Sequence, residues 1–257
     1  MDLFRDIQWG SVARYARELA VKTIYPPMCV ICRKSIDEAG HLCPECWAQV
    51  HFLDGPICEQ CGVPFEHPMF DGTLCASCHA SPPAYQRARA TFIYNDASKA
   101  LILALKHGDR TDLVPILGNW LARKVANLAD TNSLLVPVPL HWRRRVARQF
   151  NPSAELARSL HKATGIDLSL LALERLVNTP SQGALNRTAR QRNVAGVFRV
   201  RPAAKREIEG RHVILVDDVL TTGATANACA RTLLRAGADH VDVLTLARVA
   251  LPNQVRI

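Results

Sequence analysis

Eight cysteines between residues 29 and 78 fall into four pairs of one spacing: Cys29 and Cys32 in "CVIC", Cys43 and Cys46 in "CPEC", Cys58 and Cys61 in "CEQC", Cys75 and Cys78 in "CASC". A two-residue gap lets both thiolates of one turn face the same point, which a tetrahedral Zn²⁺ asks of each half-site. Two pairs close one S₄ site, so four pairs predict two structural zincs. Ten residues part the first two pairs and thirteen part the last two, enough for a short hairpin between knuckles. The expected arrangement is sequential, with Cys29, Cys32, Cys43 and Cys46 on one ion and Cys58, Cys61, Cys75 and Cys78 on the other. Spacing also admits a cross-braced pairing, and Cys₄ ligation serves Fe–S clusters as well as zinc. With every position taken by cysteine there is no open site for water, so such a metal folds the chain and does no chemistry. His41, His51, His67 and His79 read as surface residues beside the pairs.

Nine cysteines would suggest disulfides only in an exported chain. The first 27 residues carry Asp2, Arg5, Asp6, Arg14, Arg17 and Glu18, which interrupt the apolar core of a secretory signal. Residues 1–28 are expected to be a helical segment. No stretch approaches the ~18 uncharged apolar residues of a membrane span, so the expectation is a cytoplasmic protein without one. At 257 residues the chain allows two modest domains or one large one, and 48% hydrophobic with 21% charged residues excludes wholesale disorder. A net charge of +9 favours polyanionic partners, phosphorylated metabolites and nucleic acid alike.

The proline-rich "HASPPAYQ" (79–86) reads as the exit from the cysteine module, placed at 29–84, into a second domain at 85–257. There "ARATFIY" (88–94) looks like a strand and "SKALILALKHGD" (98–109) like a helix. "TDLVPILGNWLARKVANLA" (111–129) reads as a second helix with Thr111 as cap, despite Pro115. "SLLVPVPL" (133–140) is an apolar strand followed by a basic turn. "NPSAELARSLHKATG" (151–165) has Asn151 at the cap, Pro152 at the first helical position and a closing Gly165. "LLALERLV" (170–177) and "VFRV" read as strands on either side of a long polar stretch. "RHVILVDD" is the clearest strand, Thr225 to Arg235 a helix ended by Gly237, and "HVDVLTLARV" the last strand. Strands alternating with helices imply an α/β domain, a mostly parallel sheet with helices on both faces. Its ligands bind beyond the carboxyl ends of the strands.

The strand "VILVDD" ends in Asp217 and Asp218, an odd finish for buried apolar sequence. A P-loop NTPase would need G-x-x-x-x-G-K-[ST], which is absent. A receiver domain would need more than the 39 residues beyond Asp218. The remaining reading joins the acids to Leu220, Thr221, Thr222, Gly223, Ala224 and Thr225, which lead into a helix. A glycine-containing turn into a helix amino terminus presents free backbone N–H groups to a phosphate. The carboxylates beside it repel phosphate but accept hydrogen bonds from hydroxyls. Vicinal hydroxyls next to a phosphate describe a ribose 5-phosphate.

"VILVDDVLTTGAT" resembles the signature for phosphoribosyl pyrophosphate (PRPP) of the type I phosphoribosyltransferases, in which hydrophobic residues precede two acids and a T-x-G-x-T loop. Cysteine pairs ahead of such a body look like the ComF family of competence-associated proteins. Supporting stretches are "LKHGD" (105–109), "VPVPLHWRRRVARQFNPSAELA" (136–157) and "SQGALNRTARQRNVAGVF" (181–198), so the resemblance runs from 29 to about 249. One departure is Gln149, where the family usually has a glycine.

The resemblance implies a type I phosphoribosyltransferase fold, Rossmann-like, behind a small Cys₄ double zinc-ribbon domain. Asp217 and Asp218 would hold the ribose hydroxyls, and Leu220, Thr221, Thr222, Gly223, Ala224 and Thr225 would cradle the 5-phosphate. Arg143 and Arg144 stand in the place of the pyrophosphate loop. Gln182, Arg187, Arg190 and Arg192 fall in a stretch that in this fold class closes over the substrate, and Lys106 is a weaker candidate for the same work. The implied reaction transfers the 5-phosphoribosyl group from PRPP with release of pyrophosphate, with Mg²⁺ held mainly by substrate oxygens. His107 and His141 flank plausible active-site turns, and Cys229 reads as core. The resemblance also implies a role in DNA uptake or use of external DNA. The alternative is a non-catalytic PRPP sensor that contacts single-stranded DNA or DNA-uptake proteins.

Overall fold

The computed structural model describes residues 26–38, 41–106, 110, 112–140, 150–176 and 196–250. It divides into two compact units, Met1–Gln49 and Val50–Ile257, so compaction changes hands between the two cysteine clusters.

In the first unit, Cys29, Cys32, Cys43 and Cys46 gather beside helix α1 (Pro44–Gln49), with Ile31, Ile36 and Leu42 packed around them. The second unit begins by covering a sheet edge. Helix α2 (Ala76–Ala80) carries Cys78, and strand β1 (Ala88–Ile93) comes after it. Ile93 N–H donates to the His51 carbonyl at 2.8 Å, Leu53 N–H to Thr91 at 3.0 Å and Ala88 N–H to Gln60 at 2.7 Å. The free side of β1 is thereby closed by residues 51–53 and the Cys58–Cys61 knuckle, leaving no open edge there.

Helices α3 (Asp96–Lys106) and α4 (Leu113–Val125) come next. Pro115 is the third residue of α4, where its missing N–H belongs to a group with no intrahelical partner anyway. Strand β2 (Ser133–Pro137) leads to α5 (Pro152–Thr164). The Asn151 side chain caps Ser153 N–H, Pro152 opens the helix and Gly165 closes it at φ 75°, as the sequence predicts. After β3 (Asp167–Leu168), β4 (Leu173–Arg175) pairs antiparallel with β5 (Phe198–Val200) in a ribbon of its own, outside the main sheet. The short helix α6 (Lys205–Ile208) precedes β6 (His212–Leu220), α7 (Ala224–Arg235) and β7 (His240–Arg248).

The main sheet is parallel throughout, in the order β1-β7-β6-β2-β3. β2 passes on to β3 through α5 in one direction, and β6 to β7 through α7 in the other. Right-handed crossovers running opposite ways put α5 and α7 on opposite faces. Val213, Leu215, Val241 and Val243 pack with Cys229, Ala230 and Leu233 of α7, while the alternate Ile214, Val216, Leu244 and Leu246 are equally inaccessible on the other face. Full burial of such a side chain contributes about 1.5–3 kcal/mol. The reversal of direction between β2 and β6 opens a crevice at their carboxyl ends, the place ligands take in such sheets.

Three elements differ from sequence expectation. β6 does not stop at the two acids but continues to Leu220, because Asp217, Val219 and Leu220 stay paired with Thr245, Ala247 and Arg248 of β7. The "LLALERLV" strand is three residues long and joins the antiparallel ribbon. Thr111 lies outside the described residues, and α4 starts after Asp112.

Candidate functional site

Each cysteine quartet brings its four sulfurs within 4.8 Å of one another, in the sequential pairing. Cys32 and Cys43 Sγ are 3.6 Å apart, and Cys61 and Cys75 Sγ 3.7 Å. A tetrahedron with zinc–sulfur bonds of ~2.3 Å has edges of about 3.8 Å, so the donor set fits zinc. Cys43 N–H donates to Cys29 Sγ and Cys75 N–H to Cys58 Sγ, both at 3.3 Å. Donation to Cys58 raises the Cys61 thiol to about 11: such crowded sulfurs do not all ionise without a cation among them.

The crevice at the end of β6 holds a cavity of about 250 Å³, walled by Asp217, Asp218, Leu220, Thr221, Gly223, Ala224 and Thr225 among others. Gly223 is the residue before α7, at φ 79° and ψ 1°. That left-handed turn lets the chain pass from strand into helix with the amino terminus of α7 facing the cavity. Thr222 is set apart. It lines a smaller cavity of about 50 Å³ with Tyr85, Asn227 and Arg248, and its buried Oγ1 has no hydrogen-bond partner among the described residues.

The two acids sit differently. Asp217 Oδ1 accepts from Ser153 Oγ at 3.0 Å and from Asp218 N–H at 2.9 Å. Burial, then repulsion from Asp218, raises its carboxyl to about 7, against those two hydrogen bonds and the attraction of Lys106. Asp218 Oδ1 pairs with Lys106 Nζ at 3.0 Å. One acid is thus held among neutral donors and the other beside a cation, with all four side chains at the cavity wall.

Ser153 and Arg175 were not singled out by sequence reasoning. Ser153 is the second residue of α5, and the cap and proline before it account for that turn without invoking a ligand. Arg175, on β4, lies with its guanidinium 5.7 Å from the Phe198 ring centroid; a single arginine inside an apolar strand carries no motif. Cys229, on α7, is fully buried in the core between that helix and the sheet, as expected. Arg143, Arg144, Gln182, Arg187, Arg190 and Arg192 lie outside the described residues, as do His107, His141 and Gln149.

No helix among the described residues is long and apolar enough to cross a membrane. Residues 20–79 match the model of the double zinc ribbon domain and residues 147–252 that of the phosphoribosyl transferase domain. The chain is 33% identical over 230 residues to the DNA utilization protein YhgH of Escherichia coli strain K12, covering 87% of this chain and 97% of that protein. It is 27% identical over 226 residues to competence protein F of Haemophilus influenzae, covering 86% and 96%. To competence protein ComFC of Bacillus subtilis it is also 27% identical over 226 residues, covering 86% and 84%. Two Cys₄ clusters ahead of a parallel sheet, matched along nearly their whole length, make the chain a member of the ComF family, a double zinc ribbon joined to a phosphoribosyltransferase domain.

Proposed function

We propose that the cavity at the end of β6 binds PRPP and that the protein transfers its 5-phosphoribosyl group to an acceptor. The observation that carries this reading is the wall itself: two adjacent carboxylates beside a glycine turn that opens a twelve-residue helix. In this reading Asp217 and Asp218 accept from the ribose 2- and 3-hydroxyls, and the amides from Leu220 to Thr225 take the 5-phosphate. Lys106 lies 3.0 Å from Asp218 and supplies positive charge at the same wall. Arg143, Arg144, Gln182, Arg187, Arg190 and Arg192 are proposed to meet the pyrophosphate end. Asp217 and Asp218 are the carboxylates among the described lining residues, which suits a Mg²⁺ carried in by the substrate; the ion would neutralise the leaving pyrophosphate.

In the reaction the bond from ribose C1 to the pyrophosphate oxygen breaks, with the electron pair leaving on pyrophosphate, and a bond from C1 to the acceptor forms. A groove of about 590 Å³ shares Pro139, Leu140 and Arg175 with the first cavity and is proposed as the acceptor's side. The relatives' names speak of DNA utilization and competence, and we carry that setting to this chain as handling of incoming DNA, with single-stranded DNA as a polyanionic partner compatible with its +9 charge.

The test is pyrophosphate release from PRPP with Mg²⁺ across a panel of nucleobases and amines. Release that Asp218→Asn abolishes is the expected result. Tight PRPP binding with no release against any acceptor would sink the transfer step and leave a sensor.

A further inference from the structure

Arg248, the last residue of β7, is 2% exposed, and its side chain reaches under the loop after β6. Nη1 donates to the carbonyls of Leu220 (3.1 Å), Thr221 (2.5 Å) and Val249 (2.7 Å). Nε donates to the Cys61 carbonyl at 3.0 Å, and Nη2 lies 3.8 Å from Cys61 Sγ. One guanidinium therefore joins the end of β6, the first turn of the phosphate loop and a ligand of the second metal cluster.

These bonds shape the loop. In a planar trans peptide the carbonyl and the next N–H point in opposite directions. Holding the Leu220 and Thr221 carbonyls toward Arg248 turns the N–H groups of Thr221 and Thr222 away from it. Arg248 itself does not line the larger cavity, so it sets loop shape without touching what binds there. The same contacts also balance charge. Zn²⁺ with four thiolates carries a formal charge of −2, and a cation as buried as Arg248 gains from an anion at that distance.

Two further contacts lock the same junction. Gly62, just beyond the Cys58–Cys61 pair, is at φ 64° and packs so closely that a Cβ there would lie 2.4 Å from the Ala88 carbonyl oxygen. At the loop, a Cβ on Gly223 would lie 3.1 Å from Tyr85 Oη.

We propose that Arg248 is a positioning residue that braces the phosphate loop from behind and takes part of its charge compensation from the second zinc cluster. Zinc at Cys58, Cys61, Cys75 and Cys78 then governs the shape and affinity of a phosphate site that none of those cysteines lines. The affinity half rests on the proposed PRPP binding; the loop-shape half does not.

The test uses the full zinc-loaded chain, Arg248→Lys and Cys78→Ser. It reads zinc per chain, PRPP affinity by calorimetry, and amide hydrogen exchange at residues 221–225 against residues 213–216 of β6. Arg248→Lys keeps the charge but loses the fork. It is expected to retain both zincs, speed exchange across 221–225 and weaken PRPP binding by about tenfold. Exchange at 213–216 stays slow, which a general loss of stability would not allow. Cys78→Ser is expected to lose one zinc and to speed exchange across 221–225 by more than it speeds exchange at 213–216. Wild-type exchange at 221–225 in zinc-loaded Arg248→Lys overturns the proposal, and so does an unmoved loop after loss of the second zinc. Should Arg248→Lys not fold, chelator titration of the wild-type chain read at the same amides decides between those outcomes. Wild-type protein that fails to bind PRPP removes the proposed function, and the exchange data then judge Arg248 alone.

Discussion

The two cysteine clusters share a spacing, a pairing and an N–H to sulfur bond of 3.3 Å, yet they are set in different surroundings. In the first, Cys32 is exposed and the neighbours are Ile31, Ile36 and Leu42 of the same short module. In the second all four cysteines are buried, with Val63 and Phe65, and the knuckle is tied to β1 and β7 through Gln60, Gly62, Glu59 and Arg248. Equal ligand sets thus hold unequal amounts of structure. A metal site contributes to whatever its knuckle is built into, and the second is built into the sheet.

The largest expected effect breaks or keeps that contrast directly. Cys78→Ser should cost the Val50–Ile257 unit on the order of 3 kcal/mol or more, whereas Cys43→Ser should remove one zinc and leave the unfolding of that unit where it was. Denaturant titration alongside metal analysis checks both, and equal losses would end the contrast. Next is Gly223→Ala, which places a side chain at φ 79° and against Tyr85 Oη, at a cost of about 1–2 kcal/mol. Adding Tyr85→Phe relieves the crowding but not the backbone strain, so the double variant should recover less than half of the loss.

A subtler effect is in pH. Asp217 titrates near 7 in the folded protein against an ordinary 3.8, so between those values the folded state holds a proton that the unfolded state has released. This group's contribution therefore falls as pH rises through that window. Urea midpoints between pH 4 and 8 should show a fall that Asp217→Asn flattens. PRPP binding, for which the carboxylate is the proposed acceptor, should strengthen as pH rises toward 7, by at most about tenfold per unit. The smallest effect is Glu59→Gln. Its pair with Arg89 is 2.6 Å long but the Glu59 side chain is 45% exposed, and Arg89 also donates to the Glu59 and Ala88 carbonyls. A loss under about 1 kcal/mol is expected; a larger one would mean charge, rather than backbone bonding, seats the second knuckle.

What was legible in the sequence was local. The α5 caps sit within one turn of the bonds they make, so Asn151, Pro152 and Gly165 announce the helix without any partner. The Asp217–Thr225 segment gathers most of its members at one cavity because strand, turn and helix succeed one another along the chain. Sequence reasoning ended β6 too early, since nothing in "VDDVL" shows that β7 will keep pairing beside it. It also gave β4 the length of its apolar run, when only three residues find a partner.

By itself the sequence determined two Cys₄ sites, an alternating α/β body and an acid-and-glycine turn that leads from a strand into a helix. Each is written in spacings shorter than a dozen or so residues, where chain geometry leaves little choice. Tertiary structure alone decided that the second cluster belongs with the sheet, that Ser153 meets Asp217 across 64 residues, and that Arg248 meets Cys61 across 187. Contacts at such separations are set by which layers pack together, and a lone serine or arginine at the end of a helix or strand carries no period that could reveal them.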